Sequence, residues 1–129
     1  MEKYEKFRRF YTSSNKLVLA GKNAEQNEEI IKQAEGSEIV LHTKKAGSPF
    51  VNIKGKANKK DMEEAAIFCA FYSRDWKKNK ENVEVHYFKG KDTYKEKNMK
   101  TGTFGVKKIK KIIVKKRVLE AIPAGGFSL

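Results

Sequence analysis

Short segments with apolar side chains at every second position recur along the chain, and tight polar turns join them in pairs. Alternation with a period of two is typical of strands with one buried face, and two such strands around a short turn predict a β-hairpin. Another alternating segment, 83–89, predicts a further strand. The paired segments and their turns are 9–12 and 16–20 around Ser13-Ser14-Asn15, and 39–44 and 48–54 around Lys45-Ala46-Gly47.

Two other segments have the three- and four-residue spacing of helices. The first helix is predicted at 24–35, where Asn23 suits the N-cap, Gln26 stands at the capping-box position and Gly36 suits the C-terminal cap. The second is predicted to have Asp61 as its N-cap, with Glu64 at the matching position three residues on, and to end near Lys78–Lys80.

The order of these elements predicts an α+β fold, a mostly antiparallel sheet of short strands with two main helices packed on it. At 129 residues, with two prolines and no Ser/Gly-rich linker, residues 1–129 are expected to form one domain.

Positive charge is concentrated toward the end of the chain. The formal net charge is +13, and nine basic side chains but no acidic one lie between Lys97 and Arg117. Concentrated positive charge attracts polyanions. Valines and isoleucines interrupt this basic terminal segment, 97–119, so a folded element is predicted rather than a solvated tail. Their β-branched character favours a strand, although Val106, Ile109 and Ile113 also fit one face of a helix.

Two places outside that segment could contact phosphate. At Gly21-Lys22-Asn23 a strand ends beside a lysine and a helix begins, and helix N-termini favour anions. Ordinary capping by Asn23 explains the same residues, and both interpretations stay open. His42, followed by Lys44, Lys45 and Ser48, could bind phosphate, stack on a base or transfer protons. A histidine bonded to a structural neighbour is the competing interpretation.

Other chemistry has little support in the sequence. Cys69 lies in the apolar run IFCAFY and is predicted to be a buried structural thiol. Two histidines without cysteines or carboxylates at ligand spacing make no metal site, and no nucleotide-loop motif indicates a cofactor. The charged N-terminus is unlike a signal peptide, and no apolar stretch approaches membrane-spanning length. We therefore expect a soluble cytoplasmic protein with no catalytic residue, metal or cofactor.

Four ordered motifs resemble the NFACT-R family of RNA-binding domains. The resemblance spans nearly the whole chain. It departs at Thr43, where many relatives have a small residue, and after Phe104, where KKIKKIIVKK replaces a glycine-containing segment. The motifs are Gly21-Lys22-Asn23-Ala24 with Asn27; His42, Gly47, Ser48 and Lys54; Ala65 and Ala66 with Tyr72, Ser73 and Trp76; and Thr101–Phe104.

The resemblance implies an α+β domain that binds RNA. Large members of the family bind the large ribosomal subunit, recognise obstructed nascent chains and recruit tRNA to extend them. This chain resembles the stand-alone form of the domain, so the extension activity is not transferred to it.

The first hypothesis is a non-enzymatic module for ribosomal RNA or tRNA, linked to translation or ribosome-associated quality control. The large ribosomal subunit is a candidate partner, and a protein partner stays open. The alternative is an enzyme or enzyme subunit for tRNA modification or RNA processing that uses His42. A third is a protein-interaction domain, or a membrane-surface binder if 106–118 forms an amphipathic helix. The predicted RNA-binding residues are Lys22, Asn23, Asn27, His42, Lys44, Lys45, Ser48, Lys107, Lys108, Lys110, Lys111, Lys115, Lys116 and Arg117.

Overall fold

The computed structural model describes residues 2–123 and 125–127, and its centre is a six-stranded antiparallel sheet. The strands lie in the order β1-β2-β4-β3-β5-β8, so the two predicted hairpins β1–β2 and β3–β4 are both present. A separate two-stranded sheet pairs β6 with β7. The strands are β1 (Arg8–Tyr11), β2 (Leu17–Ala20), β3 (Ile39–Thr43), β4 (Val51–Ile53), β5 (Val83–Lys89), β6 (Thr93–Tyr94), β7 (Gly105–Val106) and β8 (Lys110–Val114).

Helices cover both faces of the large sheet. On one face Leu41, Val51 and Val85 pack against α2, and α3 and α4 complete that core. On the other face Leu19 and Val40 pack against Ile30 of α1. The predicted α+β class with a mostly antiparallel sheet is therefore confirmed, with helices on opposite faces. The helices are α1 (Ala24–Gln33), α2 (Lys59–Phe71), α3 (Arg74–Asn79) and α4 (Lys116–Glu120), and 3-10 turns occupy Glu2–Tyr4 and Gly90–Asp92.

The ends of α1 differ in detail from the prediction. Asn23 is the N-cap, and its side chain accepts a hydrogen bond from the Gln26 N–H. The Gln26 side chain bonds the N–H of Lys22 instead of that of Asn23, so a strict capping box does not form. The prediction of Gly36 as the C-terminal cap was wrong, because α1 ends with Ala34 in an extended conformation.

The second predicted helix begins and ends differently. Its N-cap is Asn58, and Asp61 is the third helical residue of a reciprocal capping box, so the prediction of Asp61 as the cap was wrong. The single long helix is also wrong. The chain leaves the helix at Tyr72, and the Ser73 hydroxyl accepts from the Trp76 N–H to begin α3. The apolar spacing continues across this break, which is why the periodicity did not reveal it.

The basic terminal segment contains a strand at its centre. β8 pairs with β5 in an antiparallel register, and Lys108 makes the preceding turn with a φ of 53°. The only helix described between 106 and 118 is the start of α4, which has five residues in all. An amphipathic membrane-surface helix over 106–118 is therefore not formed.

A buried carboxylate joins the first hairpin to α2. Asp61 is fully buried, and it accepts from the Thr12 hydroxyl at 2.8 Å and the Asn58 N–H at 3.0 Å. Burial alone would raise the pKa of Asp61, but these bonds, that of Ser14 and the charge of Lys16 outweigh it and lower the pKa. Asp61 thus stays ionised and holds the turn of β1–β2 against the start of α2.

We predict that Asp61→Ala lowers the free energy of unfolding by about 2–4 kcal/mol, because it leaves buried donors without an acceptor. Glu64→Ala is the matched control. Glu64 accepts from Ser13 at the surface, where water can replace it, and its loss should cost less than about 1 kcal/mol. Urea denaturation measures both variants, and equal losses would contradict the assignment.

Candidate nucleic-acid interface

A cleft of about 710 Å³ opens on the α1 face of the sheet. Its floor includes His42 of β3 and His86 of β5, which are paired across the two strands. Its walls are the start of α1, the loop 44–49, the start of α3 and the segment 101–104. Elements distant in sequence therefore converge on one concave surface.

The cleft is lined by cations. Arg8, Lys22, Lys44, Arg74 and Lys77 all contribute to its surface. No carboxylate lines it among the residues that the structure describes. Clustered positive charge in a concave surface focuses the electrostatic potential, so the cleft favours anions.

Local contacts position two of these cations. The Arg74 N–H donates to the Gly47 carbonyl, and the Arg74 side chain crosses Gly47 so closely that an added Cβ there would lie 2.9 Å from the Arg74 Cβ. Gly47 also has a φ of +95°, which favours glycine. On another side, the Arg8 guanidinium lies 4.0 Å from the centre of the Tyr72 ring, a cation–π contact.

Gly21 and Asn27 fix the start of α1 against the sheet. The Asn27 side-chain oxygen accepts from the Phe50 N–H at 3.0 Å, and the Gly21 N–H donates to the Phe50 carbonyl. A Cβ on Gly21 would lie 2.3 Å from that Asn27 oxygen, so no larger residue fits. Asn27 therefore has a structural role, and it holds Lys22 and Asn23 at the rim.

His42 is fixed and only partly exposed. Its Nδ1 lies 2.7 Å from the Thr43 carbonyl oxygen, and its ring packs at a tilt against Phe50 with 4.5 Å between the ring centroids. Burial lowers the pKa of His42, the Thr43 bond opposes this, and the charge of His86 lowers it further. His86 bonds Glu84, whose pKa that bond lowers. The Thr43 carbonyl can only accept, so it orients the His42 ring and places the proton of the neutral ring on Nδ1.

Two aromatic rings, Phe50 and Phe104, contribute to the wall of the cleft. Phe104 packs edge-on against Phe50 at 5.8 Å. The Lys95 ammonium lies 4.6 Å from the Phe104 ring centre and donates to the carbonyls of Lys100 and Thr103 and to Glu28. Glu28 also accepts from the Gly102 N–H. Lys95 and Glu28 thus fasten the segment 101–104 to α1.

The predicted residues divide between the cleft and the outer surface. Ser48 is buried, and its hydroxyl bonds Thr43 and Pro49, so its role is structural. Lys45 lies outside the lining and pairs with Asp75 at 3.6 Å. The predicted residues that line the cleft are Lys22, Asn23, Asn27, His42, Lys44 and Ser48; those that do not are Lys45, Lys107, Lys108, Lys110, Lys111, Lys115, Lys116 and Arg117.

The sequence analysis missed Arg8, Arg74 and Lys77 as site residues. Each lies in a segment of mixed charge, and only the fold brings them together. Lys54, a member of the second motif, lies away from the cleft and bonds Gln33 and Glu38. Cys69 is buried as predicted, and burial raises the pKa of its thiol to about 12.

Comparison with known proteins assigns the domain to a family. A family model described as the NFACT protein RNA binding domain matches residues 6–108. The chain belongs to this family. The match confirms the resemblance of the four motifs and supports an RNA-binding role. It ends before β8, so the second half of the basic terminal segment lies outside the matched range.

Solved structures share the fold of this NFACT RNA-binding domain. One is the C-terminal part of the fibronectin/fibrinogen-binding protein from Streptococcus suis, with a TM-score of 0.78 and 23% identity. The alignment covers 86% of this chain and 45% of that one, so the domain spans under half of the solved chain. No curated protein matches the sequence. None of the helices in the described part of the chain has the length and apolar character needed to cross a bilayer.

We predict that the stability of the domain depends on His42 near neutral pH. Because burial lowers the folded-state pKa of His42 below its ordinary 6.5, the unfolded chain binds the proton more readily. The free energy of unfolding should be highest above pH 6.5 and should fall as the pH drops from 6.5 toward the folded-state pKa. Denaturant titrations at several pH values measure this. His42→Gln should flatten the dependence, whereas His86→Gln should keep most of it.

We also predict that Lys95→Met loosens the segment 101–104 without unfolding the domain. The Gly102 amide should exchange its hydrogen faster because Glu28 loses the cation that holds it in place. Native-state hydrogen exchange measures this. Lys97→Met, an exposed neighbour in the same loop, is the control, and equal exchange in both variants would contradict the role of Lys95.

Proposed function

We propose that this protein is a non-enzymatic RNA-binding module that contacts ribosomal RNA or tRNA in the cytoplasm. Its place would be in translation or ribosome-associated quality control, with the large ribosomal subunit as a candidate partner. The observation that carries the proposal is the cationic cleft without carboxylates in its described lining, in a domain of an RNA-binding family.

The composition of the cleft supports a phosphate-rich partner. Arg8 and Arg74 can each engage a phosphate with two parallel hydrogen bonds, and Lys22, Lys44 and Lys77 can act as point charges. Contacts of this kind position a nucleic acid without reading its sequence. Recognition of a folded RNA would then depend on shape.

The basic terminal segment would extend the contact area. Lys111 is paired with His86 across β8 and β5, so it extends the row formed by His42 and His86 beyond the lining of the cleft. Lys110 points to the opposite face and lines a second cavity of about 260 Å³, together with Lys89, Lys91 and Lys108. Lys116 is partly neutralised by Glu81 at 3.8 Å. The segment would therefore hold RNA on both sides of the β8 edge rather than along one line.

We predict that the double substitution Lys22→Gln and Lys77→Gln weakens binding to tRNA or to large ribosomal subunits by roughly 10-fold or more. It should also reduce the slope of log affinity against log salt by about 0.7–0.9 for each phosphate that the variant no longer neutralises. Fluorescence anisotropy across a salt series measures both quantities.

The control is Lys59→Gln with Lys60→Gln, which removes the same charge from the exposed start of α2. This pair should change affinity much less. A DNA duplex of matched length tests selectivity. Equal weakening by both pairs, or equal affinity for RNA and DNA, would mean that binding is generic to the net charge and would overturn the proposal.

A further inference from the structure

The cationic groups of the interface surround a depression instead of standing on a protrusion. An RNA duplex is convex, and its accessible minor groove is wide and shallow, so a protein must reach outward to contact its bases. A concave site of about 710 Å³ has the size of sites that enclose a small molecule. A duplex could touch only the rim, whereas a nucleotide that has left the helix could enter.

The wall of the cleft offers a supported aromatic surface. Phe50 is buried, and both His42 and Phe104 pack against it. Phe104 itself is only partly buried and lines the cleft. The Lys95 ammonium covers one face of the Phe104 ring, and the ring packs against Phe50 at an interplanar angle of 89°, so Phe104 is held from two directions. A ring fixed in this way can stack on a base with little loss of side-chain entropy.

We propose that the cleft binds one unpaired nucleotide of the RNA, with its base stacked on Phe104 and the adjoining phosphates held by Lys22, Arg74 and Lys77. This inference rests on the proposed function and specifies its substrate as the single-stranded part of a folded RNA. Stacking on an aromatic ring tolerates any base, so the sequence preference should be weak.

The test compares three RNA hairpins with the same stem. One ends blunt, one carries a short single-stranded 3′ overhang, and one carries the same overhang with abasic nucleotides, which keep the phosphates and lose the bases. We expect the overhang hairpin to bind roughly 10-fold tighter than the blunt and abasic hairpins. A 2-aminopurine in the overhang should lose fluorescence on binding, because stacking quenches it.

Phe104→Leu removes the flat ring and keeps an apolar side chain against Phe50. It should weaken binding of the overhang hairpin by roughly 5- to 150-fold, which corresponds to about 1–3 kcal/mol of stacking. Binding of the blunt hairpin should not change. The control is Tyr94→Leu, because Tyr94 is 41% exposed and lies outside the cleft. Thermal melting verifies that both variants fold.

The outcomes separate this inference from the proposed function. Equal affinity of the wild-type protein for all three hairpins, with weakening by the Lys22 and Lys77 substitutions, would overturn the nucleotide inference and leave RNA binding intact. A preference for the overhang that survives Phe104→Leu would overturn the role of Phe104. Equal affinity of the wild-type protein for RNA and for the DNA duplex of matched length would overturn the proposed function itself.

Discussion

The difference in length between the sheet and α1 determines where a site can form. α1 has ten residues and therefore covers about 15 Å of the sheet. It buries Val40 and Phe88, but the next residues on the same face, His42 of β3 and His86 of β5, extend beyond it. The opposite face is covered by the longer α2. The floor of the cleft is thus the part of one sheet face that α1 leaves uncovered.

The period-two segments predicted β1 to β5 because each of these strands contributes buried side chains to the core. Helix ends were less predictable. Asp61 has the chemistry of a cap, but Asn58 takes that position, since the Asp61 carboxylate is needed inside the molecule by Thr12 and Ser14. Likewise, α3 begins where the Ser73 hydroxyl accepts from the Trp76 N–H. The apolar spacing continues from α2 into α3, so the periodicity gives no sign of the break between them. The bonds of Asp61 to Thr12 and Ser14 are tertiary and have no local signature in the sequence.

The candidate site was predicted in part. Lys22, His42 and Lys44 belong to local motifs with a recognisable chemistry, and the fold brings them to one cleft. Arg74 and Lys77 come from α3, which reaches the cleft because the Arg74 N–H bonds Gly47 in the loop after β3. That hydrogen bond joins residues far apart in the sequence and cannot be inferred from charge density. The dense lysines of 107–117 were the most conspicuous feature of the sequence, yet only Lys110 and Lys111 of them lie in β8, where alternation directs them to opposite faces.

The lysines of β8 also have a consequence for the solubility of the domain. β8 lies at the edge of the sheet, and its outer backbone groups have no strand partner within the part of the chain that the structure describes. Ile109 and Ile113 beside them are 47% and 42% exposed. A second chain can add a strand to an apolar edge of this kind. Lysines on the edge oppose that addition because their charges repel those of the approaching copy. The positive charge of β8 therefore opposes pairing between copies of the protein, and a β8 without these charges would be prone to aggregate.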